Sequence, residues 1–174
     1  MRRSIPLLQL VGYLFTVAVG SLLHFIYAWS GGSRIAALFG SVNESTFEHM
    51  KLFFLPAFLF ALFERRFFRD DGAYWCVKLR GILYGTVLIP ILFYTLNGCF
   101  GRTPDLVNVA IFFTAAAGAF LYETRRLDGD DPCKSEGGAF LVLCLFAVLF
   151  CVFTFSPPRI PLFLDPVSGG YGIG

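Results

Sequence analysis

Five long apolar stretches occupy most of this chain of 174 residues. They are Ile5–Trp29, Ser45–Arg65, Trp75–Asn97, Pro104–Arg125 and Gly138–Pro157. A helix of about 20 residues crosses a hydrocarbon core roughly 30 Å thick, so each stretch is long enough to span a membrane. The apolar residues run almost without interruption and lack the alternation of a β-barrel strand. The pattern therefore predicts an all-α bundle, a single transmembrane domain over residues 1–174 with five spanning helices and a tail at 158–174.

Composition supports a membrane protein. The chain is 56% hydrophobic, 18% aromatic and only 15% charged, which is more apolar surface than one soluble core can bury. The lipid bilayer is therefore the expected surrounding. The net charge of +2 is too small to indicate a nucleic-acid partner.

Positive charges are concentrated in the connections on one side of the predicted bundle. That side carries Arg2, Arg3, Arg65, Arg66, Arg69, Lys78, Arg80, Arg125, Arg126 and Lys134, and the other side carries Arg34, Arg102 and Arg159. The positive-inside rule then predicts a cytoplasmic N-terminus and an external C-terminus. The first apolar stretch is too long for a cleaved signal peptide, so we expect the first helix to be retained.

The cysteines and small residues give weaker signals. The five cysteines form no CxxC pair, and only Cys99 is expected on the external side, which argues against an intramolecular disulfide framework. Gly81 and Gly85 have the GxxxG spacing of close helix packing, either within the chain or in a homo-oligomer. Pro56 and Pro90 lie inside predicted helices, where proline produces kinks.

The segment from Ser41 to Lys51 has the densest polar chemistry. Ser45 and Glu48 have the spacing of a capping box, in which each side chain satisfies an amide at a helix start. This structural role and a functional role are both open. A capping box does not explain His49 and Lys51, which lie about 6 and 9 Å further along the helix, at a depth where ionisable groups are expensive.

A depth count brings a distant residue to the same level. His24 lies about 28 Å along the first helix from its cytoplasmic start, just below the external surface. His24 and His49 are the only histidines in the chain. The pattern predicts one cluster in the external leaflet, formed by His24, Glu44, Glu48, His49 and Asp165 and surrounded by Asn43, Ser45 and Lys51. The alternative is that each histidine is only a satisfied polar residue.

The segments outside the long helices also have apolar character. In the tail, Leu162, Phe163 and Leu164 favour burial and Asp165-Pro166 favours a turn, so we expect the tail to fold over the external mouth of the bundle. The alternative is a tail that lies in the headgroup region. The stretch Ile35–Phe39 is a candidate interfacial half-helix.

Three of these runs together resemble a known family. The Val42–Lys51 run, the Gly20–His24 end of the first helix and the tail from Asp165 to Gly172 are similar to small polytopic bacterial inner-membrane proteins of unknown function that carry a VNES…EH motif. The resemblance implies a bacterial cytoplasmic membrane and about five helices. It implies no activity. The HExxH motif of zinc proteases is absent from the sequence.

Two functions of different classes fit this pattern. The favoured one is small-ligand or ion binding at an external polar site, in a transporter or an accessory subunit of another membrane protein, with Asn43, Glu44, Ser45, Lys51 and Asp165 as binding residues. The alternative is a membrane-embedded metal-dependent hydrolase or lipid-modifying enzyme. In that alternative His24 and His49 bind a divalent metal such as zinc, Glu44 or Asp165 adds a carboxylate, and Glu48 is the general base. A third reading is that the cluster only joins helix ends.

Overall fold

The computed structural model describes residues 4–68, 72–101, 103–127, 129 and 132–173. The α-helices are α1 (Ile5–Trp29), α2 (Arg34–Phe39), α3 (Thr46–Glu64), α4 (Tyr74–Phe100), α5 (Asp105–Leu127) and α6 (Glu136–Phe155). Single 3-10 turns occur at Arg65–Phe67 and Pro161–Phe163. Within the described ranges the only extended pairing is one bridge between Leu164 and Tyr171. The predicted all-helical fold is confirmed, and five of the helices are long and apolar enough to cross a membrane.

Local signals explain where several helices begin. The Ser45 hydroxyl accepts the Glu48 amide at 3.4 Å and thereby caps α3, and the Ser135 hydroxyl caps α6 in the same way. The short helix α2 forms where the sequence indicated a half-helix. Arg2, Arg3, Arg69 and Arg102, which entered the orientation argument, lie outside the described residues.

The helix α3 lies at the centre of the bundle. About two thirds of its apolar span is buried, against 22% for α6. Phe53 and Phe54 in α3 are completely buried, whereas Leu141 and Leu145 in α6 are more than half exposed. Large apolar side chains exposed along a helix are what a lipid-facing surface requires, so α3 forms the core and α6 the periphery.

The GxxxG pair packs inside this bundle. A methyl group added at Gly85 would lie 2.5 Å from the Phe53 ring and 2.9 Å from the Ala119 side chain. One added at Gly81 would lie 2.4 Å from the Glu123 side chain. The two glycines therefore allow α4 to pack closely against α3 and α5. This is packing within the chain, the first of the two uses of the GxxxG spacing that the sequence suggests.

One disulfide corrects the sequence analysis. Cys76 at the start of α4 and Cys133 in the connection before α6 are bonded, with their Cα atoms 5.7 Å apart. The argument against an intramolecular disulfide framework was therefore wrong. It assumed that cysteines on the predicted cytoplasmic side stay reduced, and the sequence gives no sign that this connection folds back onto α4. Cys99, Cys144 and Cys151 are free thiols.

The bundle has two ends, which we call the N-terminal end and the C-terminal end. The N-terminal end holds the starts of α1, α4 and α6 together with the turn at Arg65–Phe67. The C-terminal end holds the connection between α1 and α3 and the tail after α6. In the tail, the buried Phe163 ring packs 4.3 Å from the Phe47 ring of α3, measured between centroids. The tail therefore lies against the start of α3.

Candidate functional site

Two histidines and one glutamate meet at the C-terminal end. His24 is near the end of α1, Glu44 precedes α3, and His49 lies in the first turn of α3. The Nε2 atom of His24 is 3.5 Å from Glu44 Oε1, and the Nε2 atom of His49 is 3.6 Å from Glu44 Oε2. One potential ligand atom from each residue lies within 4.8 Å of the other two. We call these three residues the His–Glu–His cluster.

The segment before α3 holds Glu44 in place. The Asn43 side-chain oxygen accepts the Ser45 amide at 2.9 Å, and the Ser41 hydroxyl donates to the Asn43 carbonyl at 2.5 Å. Short polar side chains that bond nearby backbone groups favour this kind of turn over continued helix. The carboxylate of Glu44 therefore projects from an ordered turn.

A hydrogen bond to the backbone fixes the His49 ring. Its Nδ1 atom is 2.9 Å from the Ser45 carbonyl oxygen. A carbonyl only accepts, so Nδ1 carries a proton and Nε2 is the nitrogen that faces Glu44. This is the arrangement of a metal-binding histidine whose second nitrogen is held by a backbone oxygen. The Nδ1 atom of His24 is buried and has no hydrogen-bond partner among the described residues.

The cluster forms part of the wall of a cavity of about 560 Å³. The polar part of the wall comprises Ser21, His24, Glu44, Thr46, His49, Asn97, Thr103, Asp105 and Asn108. Its apolar part is formed mainly by Leu52, Ile89, Val109, Ile111 and four phenylalanines, Phe25, Phe93, Phe112 and Phe113. The tail closes one side with Pro166 and Val167. The cavity therefore combines a polar, potentially metal-binding side with a large apolar side.

Glu48 and Lys51 face away from this cavity. The Lys51 ammonium lies 2.6 Å from Glu48 Oε2, and both side chains are almost completely buried. It also donates to the Ala37 carbonyl at 3.0 Å and to the Thr154 hydroxyl at 2.8 Å. The pair thus joins α2, α3 and α6, and neither residue belongs to the cavity wall. This geometry favours a structural role for Glu48 and Lys51 over the catalytic and binding roles suggested by the sequence.

Asn43, Ser45 and Asp165 lie outside the cavity wall and hold the surrounding backbone in place. The Asn43 amide donates to the Gly172 carbonyl at 3.0 Å and so ties the tail to the start of α3. The Asp165 carboxylate accepts the Val167 amide at 3.0 Å and the Ser168 hydroxyl at 2.5 Å. Burial opposes the ionisation of Asp165, but these hydrogen bonds outweigh it and lower its pKa below the ordinary value. Its carboxylate is therefore engaged in ordering the tail.

Several polar residues have no counterpart in the sequence analysis. Thr154 of α6 bonds both Lys51 and Glu48, yet it is far from them in the chain and no spacing connects them. At the N-terminal end, a second polar group comprises Gln9, Glu64, Tyr74, Lys78 and Glu123. Its acidic and basic residues, Glu64, Lys78 and Glu123, interrupt apolar runs near helix ends. The depth count that paired the histidines could have indicated this group as well.

Comparison with known proteins gives a family and no activity. A family model described as a family of unknown function, DUF6512, matches residues 3–173. Neither the curated proteins nor the solved structures contain a match. The expectation of a family of unknown function is confirmed, while the VNES…EH motif as its signature and the bacterial membrane stay predictions. Because the match covers nearly the whole chain, the protein belongs to the family of unknown function DUF6512.

Proposed function

We propose that this protein is an integral membrane protein that binds a divalent metal ion, with zinc the best fit, beside a cavity for a small amphiphilic ligand. His24, Glu44 and His49 are the metal ligands. One observation carries the proposal: three ligand atoms of suitable type lie within 4.8 Å of one another on the wall of a cavity. Transport of the ligand, or service as a ligand-binding accessory subunit, is the role that follows.

The spacing of the cluster suits zinc. Ligand atoms about 2.1 Å from a tetrahedral zinc ion lie roughly 3.4 Å from one another. The two histidine–glutamate separations, 3.5 Å from His24 to Oε1 and 3.6 Å from His49 to Oε2 of Glu44, are close to this value, so the carboxylate presents one oxygen to each histidine. Imidazole nitrogens together with one carboxylate are a ligand set that zinc accepts. Three protein ligands leave a fourth position on the metal for a ligand in the cavity.

The cavity supports an amphiphilic occupant. Its volume, about 560 Å³, lies within the range of small-molecule sites. The phenylalanine-rich part of the wall suits an apolar chain, and the amide side chains of Asn97 and Asn108 on the polar part suit a polar group. A lipid, or a small molecule with one polar end, has this chemistry.

The proposed setting is a bacterial cytoplasmic membrane with the cluster in its external leaflet. The arginine-rich N-terminal end supports a cytoplasmic location for that end, because positive residues concentrate in cytoplasmic connections. Arg65, Arg66 and Lys134 are at that end, whereas Arg34 and Arg159 are at the other. The cavity would then be reached from the external side or from the outer lipid layer.

Equilibrium dialysis with zinc tests the metal site. We expect one zinc ion per wild-type chain and a loss of affinity of more than tenfold in both His24→Ala and His49→Ala. Asn97→Ala, which changes the same cavity wall outside the ligand set, is the matched control and should bind as wild type. Wild-type protein that binds no zinc, or histidine variants that bind as tightly as wild type, would contradict the proposal.

A metal-dependent hydrolase or lipid-modifying enzyme is the second candidate. The open metal position beside an apolar cavity favours it, because a zinc-bound water there would face a bound lipid. Glu48 is paired with Lys51 and is therefore not free to act as the general base. Besides Glu44, Asp105 is the carboxylate in the described cavity wall, so it takes that role in this candidate. Zinc-loaded protein should then hydrolyse phospholipid or short-chain esters, and His49→Ala should not. Binding of the lipid without turnover would decide for the binding function.

A further inference from the structure

The polar group at the N-terminal end contains an unbalanced charge. The Lys78 ammonium of α4 contacts Glu64 Oε2 of α3 and lies 2.6 Å from Glu123 Oε2 of α5. All three side chains are at most 2% exposed. Two carboxylates and one ammonium sum to a charge of −1 when all are ionised. We call Glu64, Lys78 and Glu123 the Glu–Lys–Glu cluster.

Its neighbours do not cancel this charge. From α1, the Gln9 amide donates to Glu64 Oε1 at 2.5 Å, and from α4 the Tyr74 hydroxyl lies 3.1 Å from Glu64 Oε2. Both groups are neutral. The nearby cation, Arg65, stacks on the Tyr74 ring and is paired with Glu136 at 3.3 Å. Among the described residues the cluster therefore keeps a net negative charge inside the bundle.

The other buried lysine of the described residues, Lys51, has a balanced charge environment. The buried Lys51 faces one carboxylate, from Glu48, together with a hydroxyl and a carbonyl. The charge there sums to zero. Burying an uncompensated charge is strongly unfavourable, and a buried group responds by changing its protonation. Two carboxylates that share one ammonium titrate as a coupled pair, and a single proton makes the cluster neutral.

One more polar atom points to a proton. The side-chain oxygen of Gln9 is buried and accepts no hydrogen bond among the described residues. The side-chain nitrogen of Gln9, and not this oxygen, contacts the Glu64 carboxyl. A carboxyl group that holds a proton is a donor, whereas a carboxylate only accepts. With the Gln9 amide rotated by half a turn, its oxygen would therefore accept a hydrogen bond from a protonated Glu64.

We propose that the Glu–Lys–Glu cluster is a proton-binding site in which Glu64 and Glu123 together hold one exchangeable proton and Lys78 stays charged between them. The proton adds to one carboxylate oxygen as an O–H bond and leaves to water or to a neighbouring base. A metal cation is a poor occupant, since the Lys78 ammonium already lies between the two carboxylates. Buried carboxylates of this kind carry protons in pumps and transporters. The site is independent of the metal and gives the transport role a means of coupling to a proton gradient.

Infrared spectroscopy of the full-length protein in lipid tests this directly, because the carbonyl stretch separates a carboxylic acid from a carboxylate. We expect one protonated carboxyl per chain at neutral pH, shifted by deuterium exchange and lost as the pH is raised. Glu64→Gln and Glu123→Gln should each abolish the signal, because the remaining carboxylate then pairs with Lys78 alone. Glu136→Gln, at the same end and paired with Arg65, is the matched control and should keep it.

Two outcomes would overturn the proposal. One is wild-type protein without a protonated carboxyl at neutral pH, a measurement that does not depend on any variant folding. The other is a signal that persists in both glutamine variants, which would assign the proton to another carboxyl. Neither outcome bears on zinc binding at the C-terminal end.

Discussion

At the N-terminal end, Lys78 lies between two carboxylates and all three side chains are almost completely buried. At the C-terminal end, Glu44 lies between two histidines that are 27% exposed, and it is itself 48% exposed. Each end thus has one ionisable group between two groups of opposite type: an amine between two carboxyl groups at the N-terminal end, and a carboxyl group between two imidazoles at the C-terminal end. Only the C-terminal group adjoins the large cavity.

The difference decides what each end can exchange. A cluster whose three side chains are at most 2% exposed has room for a proton and little else. A half-exposed cluster on the wall of a cavity can exchange a metal ion and a small ligand with its surroundings. The two ends also differ in chemistry, because histidine nitrogens and a carboxylate can bind a divalent cation, whereas the ammonium of Lys78 repels one.

The largest expected effect on stability comes from removing the Lys78 cation at the N-terminal end. Lys78→Met leaves two carboxylates buried without a counter-charge and should lower the free energy of unfolding by about 3–5 kcal/mol. Chemical unfolding in detergent measures it. Lys134→Met, on an exposed lysine of the same end, should change stability by less than about 0.5 kcal/mol. Equal effects of the two substitutions would mean that the N-terminal end is not sealed.

A triple variant separates charge from packing. Adding Glu64→Gln and Glu123→Gln to Lys78→Met removes all three charges and should recover a large part of the lost stability. If the triple variant is as unstable as Lys78→Met alone, lost packing and hydrogen bonds, and not the uncompensated charge, cause the effect.

The close packing of α4 at Gly85 against α3 and α5 gives a medium effect. Gly85→Leu would drive a side chain into the Phe53 ring and the Ala119 methyl group, at an expected cost of roughly 1–3 kcal/mol. Thermal unfolding in detergent measures the change. Gly98→Leu is the matched control, since the space beside Gly98 in the same helix is open. If Gly85→Leu unfolds at the wild-type temperature, close packing at Gly85 does not hold these helices together.

At the C-terminal end, loss of the hydrogen bond between Asn43 and the tail should change hydrogen exchange only locally. Asn43→Ala removes the hydrogen bonds to the Gly172 carbonyl and the Ser45 amide, each with a net contribution of about 1 kcal/mol. Hydrogen exchange of residues 165–173 should become faster, with little change in α4 and α5. Ile160→Ala, in the exposed part of the tail, is the control. Unchanged exchange in Asn43→Ala would mean that other contacts hold the tail.

The orientation of the two ends can be tested with almost no effect on stability. In a background without the native cysteines, Gly72→Cys should be shielded from an impermeant thiol reagent in intact cells, and Arg159→Cys should react. Both positions are exposed. The opposite labelling would reverse the orientation. It would also place the Cys76–Cys133 disulfide in an oxidising compartment, where such bonds persist.

How much the sequence could predict differs between the two ends. Helix rise is constant, so a residue count places His24 and His49 at one depth, and the structure brings their rings to 5.5 Å between centroids. A count of residues does not give the rotation of a helix against its neighbours. Glu48 is adjacent to His49 in the chain, yet it turns toward Thr154 of α6.

Contacts between distant segments account for the other differences. Asp165 is on the expected side, but its carboxylate bonds Val167 and Ser168 within the tail. The Glu–Lys–Glu cluster joins three helices, and each of its residues alone resembles a charge that flanks a membrane span. The five long helices follow from length and hydropathy alone, because lipid leaves the backbone few alternatives to a helix.

X-ray absorption spectroscopy of the zinc-loaded protein tests the central claim most directly. The account predicts a four-coordinate ion with two imidazole nitrogens at about 2.0–2.1 Å and a carboxylate oxygen, and loss of one imidazole from the spectrum in His49→Ala. A zinc environment without imidazole, built from oxygen or sulfur atoms alone, would contradict it.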